Sequence, residues 1–193
     1  MDLTKGTLKE KNNRAKKMML WFGIISLVMS FAGLTSAFIV SSSREDWLSD
    51  FQLPQAFTFS LVIIIISSLT MILAKRSIRE HKTTMTGVFL TLTFLLGVAF
   101  IFSQITGFNQ IIASGFNLTG PTSNVTMSYV YVIAFTHIVH VVAGLIALII
   151  VLFNHFKGKY NSTNMLGIEL TATFWHFIDI LWIYLFLFLY FVR

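Results

Sequence analysis

Five ionisable side chains lie inside the last two membrane-length apolar stretches of this sequence. They are His137 and His140 in residues 127–153, and Glu169, His176 and Asp179 in residues 169–192. An ionisable group in hydrocarbon costs at least ~2.5 kcal/mol on insertion scales, so something in the protein must compensate for each of them. These residue types could ligate a metal or haem, relay protons, or hydrogen-bond one helix to another.

The spacing of these residues predicts contacts between the last two helices. At the rise of an α-helix, His140 lies ~20 Å from the inner end of its helix and Asp179 ~18 Å from the inner start of its own. Antiparallel neighbours joined by a short connection usually pack together, so we expect His140 and Asp179 to form a hydrogen bond or ion pair. Glu169 and His176 are seven residues apart and share a helix face, with Asp179 one turn further on.

Three kinds of site remain open for this cluster besides simple bridging of two helices. Haem ligation normally takes one His from each of two facing helices at matching depth, which His137 and His140 on one helix match poorly. A carboxylate–histidine proton relay from Glu169 does not visibly continue to the outer surface. The third possibility is a surface for lipid or a partner subunit, to which Trp175 and Trp182, seven residues apart on a neighbouring strip, contribute.

The composition requires that membrane helices position these residues. A soluble domain carries roughly 25% charged residues, whereas this chain has 11% charged and 55% hydrophobic residues in 193. There is no cysteine, which excludes thiolate metal sites, iron–sulfur clusters and disulfides. We predict an all-α membrane bundle that follows a basic tail at residues 1–17 and forms one domain over residues 18–193. Its five spans are predicted at about residues 18–40, 51–74, 84–108, 127–153 and 169–192.

The distribution of basic residues predicts the orientation of the bundle. Twelve of the 14 Lys and Arg residues lie in the tail and in the connections after the second and fourth spans. By the positive-inside rule the N-terminus is cytoplasmic and the C-terminus lies outside. The net charge of +6 therefore reflects segments beside a membrane rather than a nucleic-acid surface.

Small residues form a stripe along the first span and predict close helix packing. Ser26, Ser30, Gly33 and Ala37 recur at four, three and four residues. Such a stripe lets a neighbouring helix approach closely, so we interpret it as a packing face and not as a chemical site.

Two motifs resemble subunit III of haem–copper cytochrome c oxidases. The last span resembles that family's closing helix, Glu, a spacer, then Trp-His-Phe-Val-Asp-x-x-Trp. Its matching residues are Glu169, Trp175, His176, Phe177, Asp179 and Trp182. The fourth span is similar to the family's His-x-x-His-Val-x-x-Gly signature, with matching residues His137, His140, Val141 and Gly144. Pro54, Ser67, Ser68 and Gln104 also resemble residues of corresponding helices, so the similarity covers residues 18–193.

The resemblance implies a short, five-span form of a bacterial respiratory subunit in the plasma membrane. Such a subunit holds no redox cofactor, because haems and copper reside in subunits I and II. It packs on subunit I, holds phospholipid, and supports proton uptake and durable turnover. Further respiratory subunits are possible partners. The motif residues are then a structural cluster for lipid or subunit contact, and Gly144 joins the packing residues.

Two departures from the family pattern and three alternatives remain. Leu27 stands where many members have a buried Glu, and Gly107-Phe108 stands where many have Glu-Tyr, which puts the roles of those carboxylates in doubt. Nothing in the sequence separates a cytochrome c oxidase subunit from a quinol oxidase subunit. An independent membrane b-type haem protein and a proton transporter are the alternatives of other classes, although no internal repeat supports a transporter.

Overall fold

Five long α-helices account for most of the chain. The computed structural model describes residues 7–48, 51–117, 120, 123–162 and 164–192. The helices are α1 (Leu8–Ser41), α2 (Gln55–Arg79), α3 (Thr83–Ala113), α4 (Val125–Phe156) and α5 (Leu166–Phe191). Each is long and apolar enough to cross a membrane. The described ranges contain only isolated β-bridges and no strand, which confirms the predicted all-α class with five spans.

Helix α1 begins at Leu8, ten residues before the first predicted span. Thr7 and Glu10 form a capping box, in which Glu10 Oε2 accepts from the Thr7 amide at 2.8 Å and Thr7 Oγ1 accepts from the Glu10 amide at 3.4 Å. These bonds satisfy two of the free amides at a helix start, so the basic residues 8–17 of the predicted tail are helical. Residues 1–6 of that tail, and Arg193, lie outside the described residues.

Short connections with local ion pairs join the helices. Glu80 follows α2 and pairs with Lys82 and Arg76 at 2.8 Å each, which lowers the pKa of this carboxyl to about 2. The connection after α1 is held in the same way, since Arg44 lowers the pKa of Asp46 by hydrogen bonding to it. These three ion pairs tie charged groups together where the chain turns.

Helices α2 to α5 form the core, and α1 lies on its edge. Helix α2 contacts α3 and α5, and α4 contacts the same two helices. Helix α1 contacts only α4 and α5 within the described part of the chain. Its buried face consists of Ile24, Phe31, Thr35 and Phe38.

Two glycines allow α5 to bring a large aromatic ring into the centre of the core. Trp175 is fully buried between α3 and α4. A Cβ atom at Gly97 would lie 2.7 Å from Trp175 Cη2, and one at Gly144 would lie 3.1 Å from Trp175 Cε3 and 2.9 Å from Ile178 Cδ1. No side chain fits at these positions without displacing a neighbour, so Gly144 allows the close approach of α4 and α5.

Candidate functional site

The polar residues of α5 face α2 and form what we call the α2–α5 seam: Ser60, Ser67 and Ser68 of α2 with Trp175, His176, Asp179 and Trp182 of α5. Trp175 Nε1 donates to Ser67 Oγ and Trp182 Nε1 donates to Ser60 Oγ, both at 3.0 Å. Ser68 Oγ and His176 Nδ1 lie 2.8 Å apart, within hydrogen-bond distance. Each indole N–H and Nδ1 of His176 thereby has a partner inside a membrane-length bundle, where a lost hydrogen bond is costly.

Ser60 extends the seam to a third helix. Gln104 Nε2 of α3 donates to Ser60 Oγ at 2.9 Å, and the Ser60 hydroxyl donates to the Phe57 carbonyl at 2.7 Å. One serine oxygen therefore accepts from both Trp182 and Gln104. The amide oxygen of Gln104, Oε1, has no hydrogen-bond partner within the described ranges.

Asp179 lies inside the seam without a hydrogen-bond partner. The residue is 1% exposed, and neither carboxyl oxygen has a hydrogen-bond partner among the described residues, since the nearby Ser68 hydroxyl is engaged with His176 Nδ1. It lies on the side of α5 that faces α2, near Ser68. A partnerless buried carboxyl is uncommon, because burying a polar group without a hydrogen bond costs free energy.

The predicted bond between His140 and Asp179 is wrong. The Nδ1–H of His140 donates to the Thr136 carbonyl of its own helix at 2.7 Å, and the His140 ring packs on Phe31 of α1 with centroids 5.6 Å apart. Counting residues along each helix estimates how deep a residue lies in the membrane but not which way its side chain faces around the helix axis. Rotation about those axes turns His140 toward α1 and Asp179 toward α2.

His137 occupies the centre of the bundle, beside the seam. Its ring is fully buried and stacks on Trp182 at 5.0 Å between centroids, with Phe100 of α3 at 5.8 Å. Neither ring nitrogen has a hydrogen-bond partner among the described residues. No group of three His, Cys, Asp or Glu side chains that could hold a metal occurs among the residues with described positions.

Glu169 lies apart from the seam, at the end of the bundle where the basic segments gather. Its Oε2 is 2.9 Å from Lys17 Nζ of α1, and its Oε1 is 3.7 Å from Arg79 Nη2 of α2. A cavity of about 260 Å³ beside these groups is lined by Trp21 and Lys75 among others. Glu169 thus joins α1, α2 and α5. Its partners Lys17 and Arg79 lie on helices far from it in the sequence, so spacing alone does not indicate them.

In the described part of the chain, most of the small-residue stripe of α1 lies away from the other helices. Ser26, Ser30 and Gly33 are exposed and Ala37 is half-buried. Among the described residues, no atom beyond the adjoining backbone of α1 lies within 4 Å of a Cβ built on Gly33. The stripe lies opposite the buried face of α1 and is open to lipid or to another protein.

The serines that accept hydrogen bonds from the tryptophans carried a readable sequence signal. Ser60 and Ser67 are seven residues apart on α2, and their donors Trp182 and Trp175 are seven apart on α5. Equal spacing on two antiparallel helices brings two such pairs into contact at once. Ser60 was missed because polar residues of α5 were matched only with those of α4.

Comparison with known proteins identifies relatives along almost the whole chain. The family model described as cytochrome c oxidase subunit III matches residues 4–193. A cytochrome bo(3) ubiquinol oxidase subunit 3 of Buchnera aphidicola subsp. Acyrthosiphon pisum is 28% identical over 189 residues, covering 94% of this chain and 89% of the relative. The same-named protein of Pseudomonas putida is 32% identical, with coverage of 83% and 74%. Cytochrome c oxidase subunit 3 of Aedes aegypti is 32% identical, with coverage of 72% of this chain and 50% of that protein.

Proposed function

This chain belongs to the cytochrome c oxidase subunit III family, and we propose that it acts as a non-catalytic subunit of a bacterial respiratory oxidase in the plasma membrane. In this proposal haems and copper reside in partner subunits I and II, and the N-terminus is cytoplasmic. The observation that carries the proposal is the family match over residues 4–193. The use of the motif residues inside the bundle supports it, because the single N–H of Trp175 and that of Trp182 each donate to a serine of α2.

The surroundings of the histidines favour this function over an independent haem protein. The His137 ring is enclosed by Trp182 and Phe100, and one nitrogen of His140 bonds its own helix. A haem between two helices needs a ligand on each of them and space for the macrocycle. The isolated chain is therefore expected to give no Soret band, and a band that disappears in His137→Ala would contradict the proposal.

The outer face of α1 is the contact we propose for subunit I. This face carries the small residues Ser26, Ser30 and Gly33, which leave room for a second helix backbone. In a bilayer such close approach contributes van der Waals contacts and is a common basis of helix association. We propose phospholipid as a further partner, held around the ends of the bundle where basic side chains collect.

Support of proton uptake would depend on few groups in this chain. The Leu27 side chain on α1 has no ionisable group that could bind or release a proton. The Asp179 side chain has one, but the residue is only 1% exposed. Glu169 is the membrane-segment carboxylate that reaches the bundle surface, with its side chain 25% exposed. We propose that any contribution to proton collection occurs at Glu169.

A quinol oxidase is the second candidate for the complex. The relatives from Buchnera and Pseudomonas carry the name ubiquinol oxidase subunit 3, whereas the mosquito relative carries the name cytochrome c oxidase subunit 3. The two candidates differ in the electron donor, and in this proposal the partner subunits accept the electrons.

Purification of the complex through a tag on this chain tests the proposal. Haem-containing subunits are expected to copurify, and reduced cytochrome c and a ubiquinol are then supplied separately to identify the donor. The complex without this chain should keep its haem spectrum and initial turnover but lose activity sooner. Recovery of the chain alone, or proton flux through the chain alone in liposomes, would contradict the proposed function.

A further inference from the structure

The outward side of α5, between α1 and α2, is left open by the described part of the chain. Helices α1 and α2 both contact α5, but within the described ranges they do not contact each other. Every residue on this strip of α5 is partly or fully exposed, and Ile180 reaches 65%. We call the strip the α5 face, and its residues are Thr173, His176, Ile180, Ile183 and Leu187.

Contacts on either side of α5 fix the direction of the α5 face. The Tyr184 hydroxyl donates to Thr35 Oγ1 of α1 at 3.3 Å, whereas Trp182 donates to a serine of α2. Ile183 lies between these two directions on the helix. At the basic end of the bundle, the cavity of about 260 Å³ beside Glu169 is lined by residues of α1, α2 and α5 together. The α5 face is therefore the floor of a shallow trough whose sides are α1 and α2.

The spacing of the α5 face suits a second helix. Its five residues recur at three, four, three and four residues. Such spacing keeps side chains on one strip, which a single helix crossing at a small angle covers along its length. From Thr173 to Leu187 the strip rises ~21 Å, most of the ~30 Å thickness of the hydrocarbon. A membrane-spanning helix thus fits the strip in both length and form.

His176 presents an unpaired nitrogen on the α5 face. Its Nδ1 bonds Ser68 of α2, whereas Nε2 has no hydrogen-bond partner among the described residues and is not enclosed by them. A neutral imidazole has one donor and one acceptor nitrogen, so Nε2 takes the role that Nδ1 leaves open. Facing hydrocarbon, this nitrogen would go without a hydrogen bond, which costs free energy. A polar group from outside the chain is therefore expected beside His176.

The depth of His176 favours a protein as the source of that group. Glu169 and its ion pairs with Lys17 and Arg79 mark the basic end of the bundle. His176 follows seven residues later, so it lies ~10 Å further along the axis, within the ~15 Å hydrocarbon depth of one leaflet. Acyl chains have no hydrogen-bonding group at this depth, whereas a helix can carry a polar side chain anywhere along its length.

We propose that a membrane-spanning helix of a partner subunit packs along the α5 face, with a polar side chain that hydrogen-bonds His176 Nε2. Its apolar side chains pack on Ile180, Ile183 and Leu187. This contact is separate from the small-residue stripe of α1. The inference rests on the proposed function, which supplies the partner subunits, and adds the surface and the polar contact through which one of them binds.

Crosslinking from the α5 face tests the partner. Because this chain contains no cysteine, Ile180→Cys gives the tagged chain a single thiol. It is labelled with benzophenone-4-maleimide in membranes that contain the whole complex, and irradiated. We expect a covalent adduct with one partner subunit, detected through the tag.

The matched control for the crosslink is Ile146→Cys on α4. Ile146 is 55% exposed, compared with 65% for Ile180. By residue count it lies ~15 Å from the basic end of its helix, and Ile180 lies ~16 Å from Glu169. The two thiols therefore have similar exposure and depth on different faces of the bundle. Ile146→Cys should give no adduct with the subunit that Ile180→Cys crosslinks.

Variants of the polar pair test the hydrogen bond. His176→Leu removes Nε2 and is expected to lower the amount of the crosslinked subunit retained after detergent dilution roughly threefold, the factor of an average interhelical hydrogen bond in a membrane. His176→Gln keeps a donor and an acceptor, so it should restore most of the retention. Ser68→Ala removes only the bond to Nδ1 inside this chain and should retain the subunit as the parent does.

Several outcomes would overturn the inference. Adducts of Ile180→Cys with phospholipid or quinone and with no protein would exclude a partner helix, and the same subunit adduct from Ile146→Cys would exclude the α5 face as its place. Equal loss of the subunit in Ser68→Ala and His176→Leu would assign the effect to packing within this chain. Failure of the proposed function is visible separately, as the absence of haem-containing subunits when the tagged parent is purified.

Discussion

The α2–α5 seam and the outer face of α1 use similar residues in opposite ways. In the seam, Ser60 and Ser67 are fully buried and accept hydrogen bonds from tryptophans of another helix. On α1, Ser30 is exposed and its hydroxyl donates at 3.0 Å to the Ser26 carbonyl of the same helix. Gly144 lies against Ile178 and Trp175, whereas the described residues leave open space where a Gly33 side chain would project.

The difference concerns where each polar group finds its partner. A serine that bonds its own helix is satisfied before any neighbour arrives, so it can lie against lipid or against another subunit. A serine that accepts from an indole N–H is satisfied only when the second helix is in place. The seam therefore specifies the packing of this chain, and the α1 face leaves packing open to a partner.

The largest expected effect distinguishes the two glycines. Gly144→Leu should prevent normal packing of α4 on α5, because its Cβ alone would lie 2.9 Å from Ile178 Cδ1 and overpacking costs about 1–3 kcal/mol or more. Fluorescence-detected size exclusion after heating should show a lower midpoint for this variant. Gly33→Leu should leave the midpoint of the isolated chain unchanged and reduce recovery of partner subunits. Equal thermal midpoints for Gly144→Leu and Gly33→Leu would contradict the prediction that Gly144 is closely packed and Gly33 is not.

The matched serines test the same contrast through hydrogen bonds instead of packing. Ser60→Ala removes the acceptor of Trp182 Nε1 and Gln104 Nε2 and leaves both buried donors unpaired, at about 1–3 kcal/mol for each. Ser30→Ala removes a bond within one exposed helix and should cost less than ~0.5 kcal/mol. Thermal midpoints of both variants measure the difference. If Ser30→Ala were the more damaging change, the seam would not be the principal polar contact.

Asp179→Asn tests whether the partnerless carboxyl stabilises the seam. The amide has nearly the same shape and carries no charge, so its burial costs no more than that of the carboxyl. We expect a midpoint equal to or above that of the parent chain. A clear loss of stability would reveal a partner for Asp179 in the assembled protein, and the same measurement on the complex and on the isolated chain would locate that partner.

The smallest effect is expected at Glu169. Its pair with Lys17 is half-exposed on the lysine side, and such pairs contribute about 0–1 kcal/mol. A double-mutant cycle of Glu169→Gln and Lys17→Gln should give a coupling energy in that range, which decreases with added salt. A coupling that is large and insensitive to salt would place Glu169 in a protected site instead.

The number and type of helices were predictable because hydropathy is a local property of the chain. Each span needs about 20 apolar residues to cross the hydrocarbon, and each must satisfy its own backbone. Helix ends were less accurate: α1 begins at Leu8, and the capping residues Thr7 and Glu10 were the overlooked signal. Trp175, His176, Asp179 and Trp182, which the sequence pattern singled out, lie together in the seam, and their role in lipid or subunit contact stays a prediction.

Only the tertiary structure decided which helix these residues face. Residue counting gives position along a helix axis, so it placed His140 and Asp179 at similar depth, yet it contains no information on rotation about that axis. Close packing at Gly97 and Gly144 admits Trp175 between α3 and α4 and turns the polar face of α5 toward the serines of α2. The sequence by itself determined five spans and the residues costly to bury, whereas the pairing of those residues depended on how neighbouring side-chain volumes fit together.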